Sequence, residues 1–317
     1  MREAASEADM RNAAPLRLRL PATSANLGPG FDAVAVALDF YLEVEAEPAE
    51  AFSITATGHD RERCSRLDDN LVLGIYERVL KENGKAVVPL AMRMQNGIPL
   101  GMGCGSSAAG RLAAIALAVH FGRLDWSAKQ ILEEACALEG HPDNAAACWL
   151  GGLALSAMET VNGVMQVHAL SLKPKMDWRL MVVLPAEPLA TKEARGLLPE
   201  SYSRADAVYN IQRMALLTAA FADGAGELVR VAMQDKLHQP YRAKACPLLP
   251  LLQPLAGESG VLGVALSGAG PSVLLVLGRD AVVEDVEKLV RGRIGGSQQV
   301  QTLLCAMERR PASCELD

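Results

Sequence analysis

No run of apolar residues in this 317-residue chain approaches the ~20 that a helix needs to cross a bilayer, so a membrane span is not expected. The opening MREAASEADMRNAAP lacks the basic-then-apolar pattern of a secretory signal. Residues 1–14 read as a loose extension ahead of the first strand, and a cytoplasmic protein is the expectation. Positive charge is in short supply: 31 Lys and Arg stand against 37 Asp and Glu, a net charge of −6. That excludes a general nucleic-acid surface, though not a local phosphate site made from backbone N–H groups. The seven cysteines contain no CxxC pair and the five histidines no HExxH. An odd count at scattered spacing favours reduced thiols, mostly core filler, over disulfides or a zinc site. There are no internal repeats and no low-complexity linker.

What is present is an ordinary globular balance, half hydrophobic and 21% charged. At this length one large or two intimate domains are expected. Alternating or continuous apolar runs predict strands at 16–20, within 33–48, and at 53–59, 89–95, 153–157, 164–170, 178–184 and 300–306. Residues 260–278 read as strand, glycine turn, strand. Apolar residues at helical spacing predict helices at 70–82, 108–121, 126–139, 205–221, 227–233 and 282–291. Residues 21–32 read as a turn-rich loop. The mixture lacks a strict βαβα rhythm, so the fold class expected is α+β, with a seam near 158–175.

The most informative stretch is 99-PLGMGCGSSAAGRLAA-114, with Gly101, Gly103, Gly105, Ser106 and Ser107 between a strand and a helix. The first turn of that helix offers unpaired N–H groups and the positive end of its dipole. Glycines let an anion approach the backbone, and the two serines add hydroxyl donors, so a polyphosphate fits. A turn of small residues that merely permits close helix packing fits as well. Walker A is excluded because no lysine follows, and the dinucleotide fingerprint fails at Ser106, where glycine is required. The hydrolase elbow GxSxG fails too.

PLGMGCGSSAA resembles the phosphate loop of the GHMP kinases (galactokinase, homoserine kinase, mevalonate kinase and phosphomevalonate kinase), with Cys104 where leucine is usual. Two further stretches, 21-PATSANLGPGFD-32 and 266-LSGAGPS-272, are similar to that superfamily's first and third motifs and stand in its order. The first is of the homoserine kinase type, and 139-EGHPDNAAACWLGG-152, 191-TKEARGLLP-199 and 235-DKLHQPYR-242 are similar to that branch. The resemblance runs from about residue 16 to about 306. It implies an α+β fold in two halves, ribosomal-S5-like at 15–165 and ferredoxin-like at 166–317, with the site in the cleft between them. It also implies ATP-dependent, Mg²⁺-dependent phosphorylation of L-homoserine to O-phosphohomoserine, on the route to threonine. A homodimer is common in that branch.

By the same resemblance Pro99, Gly101, Gly103, Cys104, Gly105, Ser106, Ser107 and Ala108 would hold the nucleotide, and Ser107 and Glu139 the Mg²⁺. Glu139 ends its helix, where the dipole disfavours a carboxylate and a nearby cation would offset the cost. Arg195 and Arg242 would grip the substrate carboxylate, Asp32 the ammonium, and Asn26 and Asn144 the hydroxyl. Asp143 aligns with the base of other branches and reads as orienting ahead of catalytic, because a loose transition state does not require early deprotonation. His141 would touch substrate or cap a turn, and His238 would pack and position. Ser267, Gly268 and Gly270 of the third motif would lie against the site, with Pro271 stiffening the exit. The alternatives are another small-molecule kinase of the superfamily and a non-catalytic nucleotide-binding relative.

Overall fold

Alternation in LRLRL puts Leu16, Leu18 and Leu20 on a buried face and leaves Arg17 exposed. In the computed structural model, which describes residues 13–174, 178–189, 191–295 and 299–316, this strand does not stop where the alternation does. β1 (Leu16–Asn26) continues through 21–26, and β2 (Gly30–Pro48) pairs antiparallel with it along its length. The loop expected at 21–32 is therefore strand, tight turn and strand. Thr23, Ser24 and Asn26 look like turn residues, but both faces of the strand are covered here, so no apolar–polar alternation marks it. Pro21 stands at a register shift, where a missing N–H is tolerated. All but the last two residues of the extension expected at 1–14 lie outside the described residues.

The chain continues through β3 (Ser53–Gly58), α1 (Arg61–Cys64), α2 (Leu71–Glu82) and β4 (Leu90–Asn96). Then come α3 (Ser106–Phe121), α4 (Ala128–Glu139), α5 (Asp143–Leu150), β5 (Leu153–Val161) and β6 (Val164–Leu172). α3 buries 11 of its 16 residues, as a helix that is apolar all round must. Its alanines let it lie between α2, α4 and the first two strands. α5 was not anticipated. Its N-terminal Pro142 and its C-cap Gly151 are the boundary signals that would have marked it.

The second half adds β7 (Arg179–Pro185), α6 (Thr191–Gly196), α7 (Arg204–Asp223), α8 (Gly226–Ala232), α9 (Gln239–Arg242) and α10 (Leu248–Leu252). It closes with β8 (Val261–Leu266), β9 (Val273–Leu277), α11 (Val283–Ile294), β10 (Val300–Ala306) and β11 (Ser313–Leu316). One sheet runs β11-β1-β2-β4-β3, with β5 on another part of β2 and β6 on β5; the other runs β10-β7-β9-β8. The protein is α+β, with helices packed on two largely antiparallel sheets. Among the described residues no helix is long and apolar enough to cross a membrane.

The division expected at 165/166, and most of the seam at 158–175, fall on the β5–β6 hairpin of the first sheet. The chain passes to the second sheet only between Leu172 and Arg179. β6 is an edge strand with Val164 and Leu170 exposed. The last strand, β11, returns to pair with β1.

α4 starts from a capping box: Ser127 Oγ accepts from Gln130 N, and Gln130 Oε1 accepts from Ser127 N at 2.9 Å. Ser127→Ala should lower stability by about 1 kcal/mol in urea unfolding. Turnover should be unchanged, because Glu139 lies at the other end of the helix.

Candidate active site

Three motifs far apart in sequence meet through their main chains. Thr23 N donates to Cys104 O (3.0 Å), and Gly268 N donates to Ala25 O (3.0 Å). Ser267 Oγ donates to Gly103 O at 2.7 Å and lies 2.9 Å from Ser24 Oγ. Asn26 Nδ2 donates to Gly268 O (2.8 Å), while its Oδ1 accepts from Asp32 N (3.0 Å). Gly103 and Gly105 are both left-handed, each with φ 73°. A Cβ at Gly103 would strike Ser267 O, and one at Gly105 would strike the Thr23 side chain. The glycines are thus needed for close packing, and that packing is what presents the loop. The N–H groups of Ser106, Ser107 and Ala108 precede the first bond within α3, from Ala109 N to Gly105 O.

The loop opens on two adjoining cavities. The smaller, of about 130 Å³, is lined by Asn26, Asp32, Gly101, Gly103, Gly105 and Ser106. Ser107, Ala108, Glu139, His141, Asp143, Asn144, Arg195, Arg242 and Gly268 complete the expected residues around it. The larger, of about 1000 Å³, runs along α2 past Leu42, Leu71, Met94 and Ile98, and shares Gly101, Ser106 and Ser107 with the smaller. Of the expected site residues, Pro99, Cys104, Ser267 and Gly270 do not line the smaller cavity. The Cys104 side chain is 1% exposed in the core, and Ser267 braces Gly103 from behind.

Arg195 and Asp32 form a two-pronged ion pair at 2.6 and 2.9 Å. Burial works against the Arg195 charge, but the Asp32 carboxylate outweighs it and holds the pKa above its ordinary value. Arg242 is different. It is 1% exposed, and among the described residues no carboxylate lies within ion-pair distance of it. Its Nε donates to Ala194 O (3.1 Å) and its Nη1 to His238 Nδ1 (3.2 Å). Burial, and then the charge of Arg195, pull its pKa down. Such a guanidinium invites an anion.

His238 sets that geometry. Its Nε2 donates to Gly28 O (2.8 Å), which leaves Nδ1 as the acceptor for Arg242. Asp235 folds the turn beneath it by accepting from the N–H groups of Leu237, His238 and Gln239. The Phe31 ring stacks on His238 and lies 5.3 and 5.5 Å from the guanidinium carbons of Arg242 and Arg195.

On the other wall, Asp143 is 1% exposed, and its Oδ1 accepts from His141 Nδ1 (2.6 Å), Asn144 N (2.7 Å) and Asn144 Nδ2 (3.2 Å). Asn144 Oδ1 accepts from Thr23 Oγ1 (2.7 Å). Glu139 is not a solvated helix end: its side chain is 10% exposed and paired with Arg111. Arg111 Nη1 also donates to Ser107 Oγ. The Arg111 guanidinium thus stands beside the carboxylate that the resemblance assigns to Mg²⁺. The sequence reading missed Thr23, Phe31, Arg111 and Asp235. Only Arg111 carried a usable signal, its place four residues after Ser107 on the same helix face.

The descriptions "GHMP kinases N terminal domain" and "GHMP kinases C terminal" match residues 70–152 and 216–292. A homoserine kinase from Solibacter usitatus is 42% identical over 295 residues, covering 92% of this chain and 95% of that protein. One from Synechococcus is 37% identical over 267 residues, 84% of this chain and 86% of that protein. The crystal structure of homoserine kinase from Cytophaga hutchinsonii shares the fold, with a TM-score of 0.78 over 96% of this chain and 98% of that one at 22% identity.

The two buried histidines should titrate on opposite sides of the ordinary value of about 6.5. Burial lowers His238, so its contribution to stability is complete above that pH and is lost as pH falls below it. Burial also opposes the charge on His141, but Asp143 and then Glu139 outweigh it and raise its pKa. Its contribution is complete below that pH and is lost as pH rises through the folded value. Following the two ring Cε1–H signals by NMR should show this order, and reversed midpoints would contradict it.

Proposed function

Since the chain belongs to the GHMP kinases, and within them to the homoserine kinases, we propose how its cleft divides ATP and L-homoserine between two cavities. ATP lies along the groove of about 1000 Å³, and the amino acid fills the cavity of about 130 Å³. The observation that carries this reading is the shared wall. Gly101, Ser106 and Ser107 line both cavities, so a phosphoryl group held there faces the acceptor. The first-turn N–H groups of α3 receive its oxygens and stabilise charge as it shifts.

Homoserine carries one carboxylate, one ammonium and a short hydroxyl arm. Its carboxylate takes Arg242 and Arg195, and its ammonium takes Asp32. The Arg195–Asp32 pair therefore exchanges partners on binding, and both charges stay compensated. Asn26 and Asn144 have both ends of their amides engaged within the protein, so they shape the pocket around the hydroxyl arm. Three hydrogen bonds to one Asp143 oxygen favour an orienting role for it, with His141 held beside the acceptor.

A divalent cation suits Ser107 and Glu139, whose oxygens already share a positive group. Mg²⁺ would take these two oxygens, leave its other positions to water and phosphate, and neutralise charge on the transferring group. The acceptor oxygen bonds to the terminal phosphorus as the bond to the bridging oxygen breaks and ADP leaves. The hydroxyl proton passes to the transferred phosphate or to water. Using ATP as co-substrate agrees with the cytoplasmic setting expected from the sequence.

ADP release coupled to a panel of acceptors tests the reading: L-homoserine should be turned over well ahead of mevalonate or galactose. Arg195→Leu should raise KM for homoserine about 10- to 100-fold, the loss of one charge-assisted contact. It should leave KM for ATP within about 2-fold, and equal damage to both would remove the carboxylate role. Glu139→Ala should lower kcat by at least about 100-fold, the scale of losing one charge-stabilising group. A near-normal rate would retire Glu139 as the metal ligand.

A further inference from the structure

Arg111 has no assigned part in the scheme above, yet it touches both of the side chains given there to the metal. It lies one helical turn after Ser107 on α3, with its side chain 20% exposed. A single nitrogen, Nη1, donates both to Ser107 Oγ and, at 2.5 Å, to Glu139 Oε1. The other Glu139 oxygen lies 3.5 Å from His141 Nε2. The positive group thus stands between the same two oxygens that would hold a divalent metal. A guanidinium and a dication cannot share that seat, because they repel and need the same lone pairs.

We propose that Arg111 is a built-in competitor for the metal seat. It keeps Ser107 and Glu139 together and compensated when no nucleotide is bound, so bare metal is held weakly. Phosphate oxygens arriving at the first turn of α3 offer the guanidinium new partners within reach of the same helix. Metal then enters with the nucleotide rather than ahead of it. The inference rests on the reading of Ser107 and Glu139 as the metal pair.

The test titrates Mn²⁺ alone into the nucleotide-free, full-length protein, reading free Mn²⁺ by its electron spin resonance signal. Arg111→Met keeps the stem and removes the charge; Arg111→Gln is the second neutral variant if the first does not fold. Either should bind Mn²⁺ about 10-fold or more tightly than the unaltered protein, a difference of about 1.4 kcal/mol. Adding Glu139→Gln should abolish the gain. No gain overturns the proposal, and so does a gain that survives Glu139→Gln. Mn²⁺ with a non-hydrolysable ATP analogue on Glu139→Gln alone separates the two readings. Unchanged affinity there removes the metal pair and the proposal with it. A loss there, with no gain in Arg111→Met, overturns the proposal and leaves the metal pair standing.

Discussion

The stacking of three main-chain segments, at Thr23–Asn26, Gly103–Gly105 and Ser267–Gly268, is the constraint on which the site depends. Two belong to the part of the chain that builds the first sheet and one to the β8–β9 turn of the second. Their contacts are made by backbone groups and short polar side chains, and at two points only the missing Cβ of a glycine permits them. The glycine loop is therefore clamped through its own main chain by the other two motifs. That is preorganisation: its N–H groups point outward before any anion arrives, so little reorganisation is charged against binding.

The charges of the cleft follow one pattern. Asp32 is satisfied by Arg195, Glu139 by Arg111 and Asp143 by His141, so three buried or half-buried carboxylates each have a basic partner. Breaking such a pair without replacement is costly, but exchanging one partner for another of the same sign is not. A zwitterion and a metal-bound nucleotide are ligands that permit exchange. Arg242 is the exception, a buried cation held by a carbonyl and a neutral histidine.

Regions with strong periodicity were legible from sequence: LRLRL, the helix before residue 82 and the strand–turn–strand around Ser267 appear where their patterns place them. Residues 21–26 were not, because a strand buried on both faces by small residues loses its alternation, and Thr, Ser and Asn then read as turn formers. The boundary expected at 165/166 falls inside a hairpin whose two strands pair with each other along their whole length. In the cleft, most of the residues named by motif line one cavity, Pro99, Cys104, Ser267 and Gly270 apart, since motifs record which side chains must meet. Roles depending on the second partner of a side chain were invisible. Asn144 is shared between Thr23 and Asp143, and Arg111 reaches a glutamate 28 residues away.

The return of β11 to β1 carries a consequence for dissecting the molecule. Leu16 faces Leu316 across that ladder, and Arg19 faces Ser313. A fragment ending after β6 would keep α2 to α5 but would bare the edge of β1 at Leu16–Arg19. An unpaired edge with Leu16 and Leu18 alternating along it is a template for another chain to add to. The first sheet is thus closed by the last strand of the chain, and separating the halves would trade a catalytic unit for one prone to sticky self-association.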